Sequence, residues 1–317
     1  MQISRSLLSN PALKAATVLA VSALALSACT NASETGTTGA ASASGSAAAS
    51  FDPSSVQKDD ALAAMVPEAI KAKGTLTVGS DTSYAPAEFL GTDGQTPVGY
   101  DVDIAKAIGA ALGLKVQVQT SEFTGILPAL GPKYDLGISS FTINPERLAA
   151  VNMVSYFNAG TAWAVQKGNP KKVSLDDLCG KSIGVQTGTV QEDPDLSGRN
   201  KKCVDAGKQP INIVTLKTQT DITTRLVNGS IDAMAADSPI IGYALTQTNG
   251  QLEKLGEVYD SAPQGIAVAK SDTALADVVQ KTVTKLMEDG SYKKILEGWG
   301  AADGAITKSE VNPAAAS

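Results

Sequence analysis

From residue 74 to residue 288 the chain alternates strand-length apolar runs with amphipathic helical runs, in two successive series. That alternation leaves few architectures open, and the simplest is a mostly parallel sheet wrapped by helices, built twice. In the first series, residues 76–78 read as a strand running into the polar turn Gly79-Ser80-Asp81. The spacing of Ile104, Ile108 and Leu112 predicts a helix over 101–112, with Asp101 at its N-cap. Val116 and Val118 mark a strand, 125–130 a helical turn, 135–139 a buried strand and 163–166 another. The second series predicts a brief helix over 174–178 capped by Ser174, then strands over 182–186, 211–216 and 231–235. Helices are expected over 220–228 and 239–248, and a strand over 265–269. The clearest helix covers 275–288, where Leu275, Val278, Val279, Val283, Leu286 and Met287 make one stripe and Gly290 ends it.

Polar clusters follow several of these strands, where α/β folds bind their ligands. The most informative stretch is 134–147: an apolar run ends in Ser139 and Ser140, then Asn144-Pro145 starts a helix carrying Arg147. Hydroxyls, helix-start N–H groups and a guanidinium fork all suit a carboxylate. A second handle of opposite sign, Asp237, follows the 231–235 strand, and Asp81 and residues 186–189 hold similar positions. Arginine for a carboxylate and aspartate for an ammonium describe a pocket for a free amino acid. Each residue also has a plainer reading. Arg147 suits a solvated helix charge paired with Glu146 or Asp103, Asp237 an N-cap for the helix at Pro239, and Asp81 a brace for its turn.

The remaining composition limits function and location. Arg5 and Lys14 precede an apolar run over 15–26, about twelve residues, too short to span a bilayer and suited to a signal sequence over 1–28. It ends Leu26-Ser27-Ala28-Cys29, which resembles a lipoprotein signal with Cys29 as the lipidated residue; ordinary cleavage near Ala28 or a retained anchor are the alternatives. Residues 29–50 are mostly Ala, Ser, Thr and Gly and read as a flexible tether with a mean reach of roughly 25 Å. The tail over 301–317 lacks periodicity and reads as loose. Losing Arg5 and Lys14 moves the net charge from −6 to −8, and there is no basic run to suggest nucleic acid. Histidine is absent from the chain, which removes Ser-His-Asp and Cys-His catalysis and the commonest zinc ligand. No cofactor or metal is expected. Cys179 and Cys203 remain as an even pair, read as a disulfide stabilising by roughly 3 kcal/mol, with two free thiols as the alternative.

Several motifs, in order, resemble the polar-amino-acid family of ABC-transporter extracellular solute-binding proteins. They are Leu-Thr-Val-Gly-Ser-Asp-Thr-Ser-Tyr-Ala-Pro over 76–86, Val-Gly-Tyr-Asp-Val-Asp-Ile-Ala over 98–105, and Ile-Leu-Pro-Ala-Leu over 126–130. The segments 142–147, 184–189, 236–239 and 289–300 continue the match. The resemblance implies an α/β, two-lobed, type II periplasmic-binding-protein clamshell with two hinge crossings, near 165–168 and 261–265. Lobe 1 is then expected over 51–166 and 265–300, and lobe 2 over 167–264. It implies that Arg147, helped by Thr142, holds the ligand carboxylate and that Asp237 accepts from its ammonium. Tyr84 and Phe123 become aromatic walls, Asp81 sits near the ligand side chain, and Ser139, Ser140 and Thr189 line the pocket.

The chain departs from that family at Ala87, Val190 and Gln186, which leaves the ligand side chain open; Asp81 and Glu122 lean toward a basic or neutral polar one. The expected function is extracytoplasmic capture of a free amino acid by a lipid-anchored monomer, delivered to an ABC permease. A dehydratase-like enzyme on the same scaffold, or a ligand sensor, are the alternatives.

Overall fold

The structure, a computed structural model, describes residues 51–52 and 55–315. The expected signal sequence, the Cys29 lipidation site and the tether lie outside the described residues. Helices α1 (Asp60–Met65) and α2 (Glu68–Lys73) lead into β1 (Thr75–Ser80). Three short strands follow, β2 (Ser83–Tyr84), β3 (Glu88–Leu90) and β4 (Pro97–Val98), then α3 (Tyr100–Leu112) and β5 (Lys115–Thr120). Next come α4 (Phe123–Ile126), β6 (Leu136–Gly137), α5 (Pro145–Ala150) and the long β7 (Val151–Gln166). The second series is β8 (Ser182–Gln186), α6 (Ser197–Asp205), β9 (Asn212–Leu216), α7 (Gln219–Val227), β10 (Ala233–Asp237) and α8 (Ser238–Gln247). β11 (Leu252–Lys254), β12 (Tyr259–Ala269), α9 (Thr273–Glu288) and α10 (Ser291–Gly298) complete it.

The principal sheet runs β5-β1-β6-β12-β7-β10-β8-β9, with β11 beside β7. Its two flanks are parallel triads: β1 pairs with β5 and β6, and β8 pairs with β9 and β10. The antiparallel pair β7 and β12 joins them. β12 meets β6 through Ala267 and Val268, and β7 meets β10 through Thr161–Val165. The chain therefore reaches the second triad before Thr161, earlier than the crossing expected near 165–168. Where the strands pass, Gly160 has no room for a side chain: a Cβ there would lie 2.6 Å from Val258 Cγ1 and 2.7 Å from Ser261 Oγ.

Helix packing follows the apolar spacing. In α9, Leu275, Val278, Val279, Val283 and Leu286 are buried, each stabilising the fold by about 1.5–3 kcal/mol, while Met287 sits at the edge of the stripe. Three expectations change. The first residue of α3 follows Gly99, and Asp101 is buried inside the helix instead of capping it. Residues 174–178 form a turn, because Ser174 Oγ accepts from Asp176 N, two residues on, and Ser174 bridges to Asp177. The described part of the tail is seated: Val311 bridges to Val154, Ser309 is buried, and Asn312 N donates to Met153 O. Cys179 and Cys203 form the expected disulfide, with Cα atoms 5.6 Å apart.

Candidate functional site

The site begins where β1 and β6 end. After β6 the chain turns at Ser140, whose φ of 51° places it in the left-handed region uncommon for a residue with a Cβ. Asp101 holds that turn, its Oδ2 accepting from Ser140 N at 2.9 Å and its Oδ1 from Tyr156 Oη at 2.6 Å. Ser139 Oγ donates to Glu88 Oε1 at 2.7 Å and accepts from Asp81 N at 3.0 Å. Both serine hydroxyls are thus turned inward, onto a fully buried carboxyl pair, Glu88 and Asp101. Burial pushes the Asp101 carboxyl up to about 6, partly offset by the Tyr156 hydroxyl. Burial and the Asp101 charge push Glu88 well above the usual carboxylate range. Burial thus favours the protonated form of both acids, most strongly that of Glu88.

Arg147 stands in the first turn of α5, where Pro145 begins the helix and Asn144 Oδ1 accepts from Arg147 N at 2.8 Å. Its Nη1 donates to Thr142 O at 2.8 Å and its Nη2 to Gly188 O, in the second series, at 3.1 Å. The guanidinium lies 5.4 Å from the Phe123 ring and 5.6 Å from the Phe141 ring. Neither Glu146 nor Asp103 pairs with it; Asp103 binds Trp299 and Lys106. Burial lowers its pKa to about 10, partly offset by the Asp237 charge, and it stays protonated.

Asp237 occupies the N-cap position of α8 but its side chain makes no capping bond. Its Oδ1 accepts from Gln191 Nε2 at 2.9 Å and its Oδ2 from Gln264 Nε2 at 2.8 Å, while Asp237 N donates to Tyr84 Oη at 3.2 Å. Burial pushes its carboxyl up to about 6, with the Gln191 amide pulling the other way. Neither Arg147 nor Asp237 belongs to an ion pair among the described residues, yet both line one nearly closed cavity, of about 10 Å³, between the triads.

Of the nine expected ligand residues, eight line this cavity: Tyr84, Phe123, Ser139, Ser140, Thr142, Arg147, Thr189 and Asp237. Asp81 does not; it is buried behind the wall, where burial raises its carboxyl pKa and hydrogen bonds from Ser83 oppose the rise. Glu122 points to the surface and pairs with Lys217 at 2.7 Å. Gln186, Val190 and Gln191 complete the lining. Gln191, Gln264 and Glu88 carried no sequence signal, because a single buried amide or acid leaves no periodic trace. A larger groove opens beside the disulfide, but its Arg199 and Lys208 are already paired with Asp195 and Asp177.

A cavity between two α/β halves, with one cationic and one anionic handle, defines a two-lobed solute-binding protein. Residues 76–302 match the profile of the bacterial extracellular solute-binding proteins, family 3, and the chain belongs to that family. It is 32% identical over 252 residues to the arginine-binding protein ArgT of Corynebacterium glutamicum, covering 79% of this chain and 82% of that one. It is 29% identical over 245 residues to the L-cystine-binding protein TcyJ of Escherichia coli, covering 75% and 86%. Among solved structures, an ancestral arginine-binding protein bound to arginine superposes with a TM-score of 0.65 at 36% identity, covering 71% of this chain and 98% of that one. An ancestral amino acid-binding protein described as a precursor of cyclohexadienyl dehydratase gives 0.64 at 32% identity, covering 73% and 98%. The fold is the two-lobed type II architecture, and the family places the protein outside the cytoplasm.

Proposed function

We propose that the cavity grips a free α-amino acid between the lobes and that the protein delivers it to an ABC importer. One observation carries this: Arg147 and Asp237 enter the same small cavity from opposite triads, each without an ionic partner among the described residues. Arg147, oriented by the Thr142 carbonyl and the Phe123 face, holds the carboxylate with its planar fork. Asp237, held by Gln191 and Gln264, accepts from the ammonium, and Tyr84 and Phe123 cover the aliphatic part. A ligand touching both walls favours the closed state because it binds that state better. The names of the amino acid-binding relatives support this reading.

The strand pairing supports lobes that meet between Phe157 and Thr161 on β7 and between Ser261 and Gly265 on β12. The Leu26-Ser27-Ala28-Cys29 sequence supports lipidation of Cys29, a tether over 29–50 and a monomer held at the outer face of the membrane. A thermal-shift screen against the twenty amino acids tests the binding reading, since a ligand of the native state raises Tm by mass action. No stabilisation by any of them would sink it. Turnover of prephenate or arogenate by purified protein would favour the dehydratase-like alternative instead.

A further inference from the structure

The side-chain end of the cavity is closed by a contact that the handles do not need. Gln186, the last residue of β8, is 2% exposed and lines the cavity. Its Nε2 donates across the cleft to Asp81 Oδ2 at 2.9 Å and to Lys217 O at 2.9 Å. Both neighbours are acceptors only, so the amide nitrogen must face them and the amide oxygen must face away. Among the described residues no donor reaches that Oε1.

Asp81 is correspondingly full. Its Oδ1 accepts from Ser83 Oγ at 2.6 Å and Ser83 N at 3.2 Å, and its Oδ2 from Phe123 N at 2.9 Å and Gln186 Nε2. An ionised carboxylate offers about four acceptor sites, and all are taken. A ligand cation reaching for Asp81 must first displace the Gln186 amide and leave that Nε2 without its carboxylate. The other acid once expected nearby, Glu122, is spent on Lys217 at the surface.

We infer that Gln186 sets the side-chain selectivity of this pocket, by occupying Asp81 and presenting its own carbonyl oxygen to the ligand. The inference rests on the amino-acid reading and names its class: a neutral polar side chain of moderate length that ends in an N–H or O–H donor. A long cationic side chain is disfavoured, because its charge would have to break the Gln186–Asp81 contact. The contact also spans the two lobes, so selectivity and closure share one hydrogen bond.

Calorimetry with glutamine, asparagine, arginine and lysine tests this on the wild-type chain and on Gln186→Met, which keeps length and removes both amide atoms. The wild type is expected to bind a neutral amide ligand at least tenfold more tightly than arginine. Gln186→Met should shift that ratio toward arginine by at least tenfold, and adding Asp81→Asn in the Gln186→Met background should erase the shift. Gln186→Leu provides a second background, and a thermal melt confirms that each variant folds. Tighter binding of arginine by the wild type, or a ratio that Gln186→Met and Gln186→Leu leave unchanged, overturns the inference while the amino-acid reading stands. A folded wild type that binds none of the amino acids removes both.

Discussion

The two walls of the cleft hold opposite charges, and they hold them by different chemistry. Behind the first wall, Ser139 and Ser140 are anchored on the buried acids Glu88 and Asp101. On the second, Asp237 hangs between two neutral amides, Gln191 and Gln264. Both walls therefore contain carboxyls raised by burial, but the proton does opposite work in each. On the first it is part of the fold, because burial disfavours the charged form of both acids. On the second it competes with the ligand, because a protonated Asp237 has lost the charge that attracts an ammonium.

The largest effect expected is at the cationic handle. Arg147→Ala should weaken amino-acid binding by about 2–5 kcal/mol, since it strands a ligand carboxylate inside the cleft. Isothermal calorimetry reads it, and near wild-type affinity would take Arg147 out of the site. Next comes the staple that only the second half carries. Replacing Cys179 and Cys203 by serine should cost about 3 kcal/mol of stability and lower Tm by roughly 6–12 °C, with ligand specificity unchanged.

The third test separates the walls by pH. A carboxyl whose folded pKa is raised contributes stability that is present below its unfolded value and lost as pH rises through its folded value. For Asp101 that window runs from near 3.8 to about 6, and for Glu88 it extends from near 4.5 upward. Glu88→Gln keeps the shape without the titrating proton. Its Tm should therefore gain on the wild type as pH rises from 5 to 8. A constant difference across that range would show that burial does not raise the Glu88 carboxyl. The smallest effect belongs to the second wall. Affinity should fall as pH drops below about 6, at most tenfold per unit, as Asp237 takes up a proton. Asp237→Asn should bind weakly at every pH and show no such slope.

Much of this was legible in the chain. Helix α9 announced itself through its apolar stripe, and Asp237 through its position after a strand. The sequence left Arg147 with two readings; in the fold it makes no ion pair with Glu146 or Asp103 and lies over Phe123, which supports the binding one. Strand β7 was half hidden, because buried residues on both faces erase the alternation that marks a strand. Helix α6 was hidden for the opposite reason: only Cys203 is buried in it, so it has no stripe to read. The described tail residues gave no pattern because their seat on β7 is made mostly by hydrogen bonds of Ser309, Glu310 and Asn312, beside the Val311–Val154 bridge, and polar contacts leave no apolar period. The amide and acid supports of the pocket were invisible for a related reason, since each acts alone from a different segment.

β7 and β12 lie side by side through the passage from one triad to the other, so a two-stranded ribbon joins them and not a single thread. A ribbon flexes across its face far more readily than it slides along its length, where each step of slippage would break the ladder of backbone bonds. The jaws can therefore swing but cannot drift sideways, and each closing stroke returns the same atoms to the same opposing places.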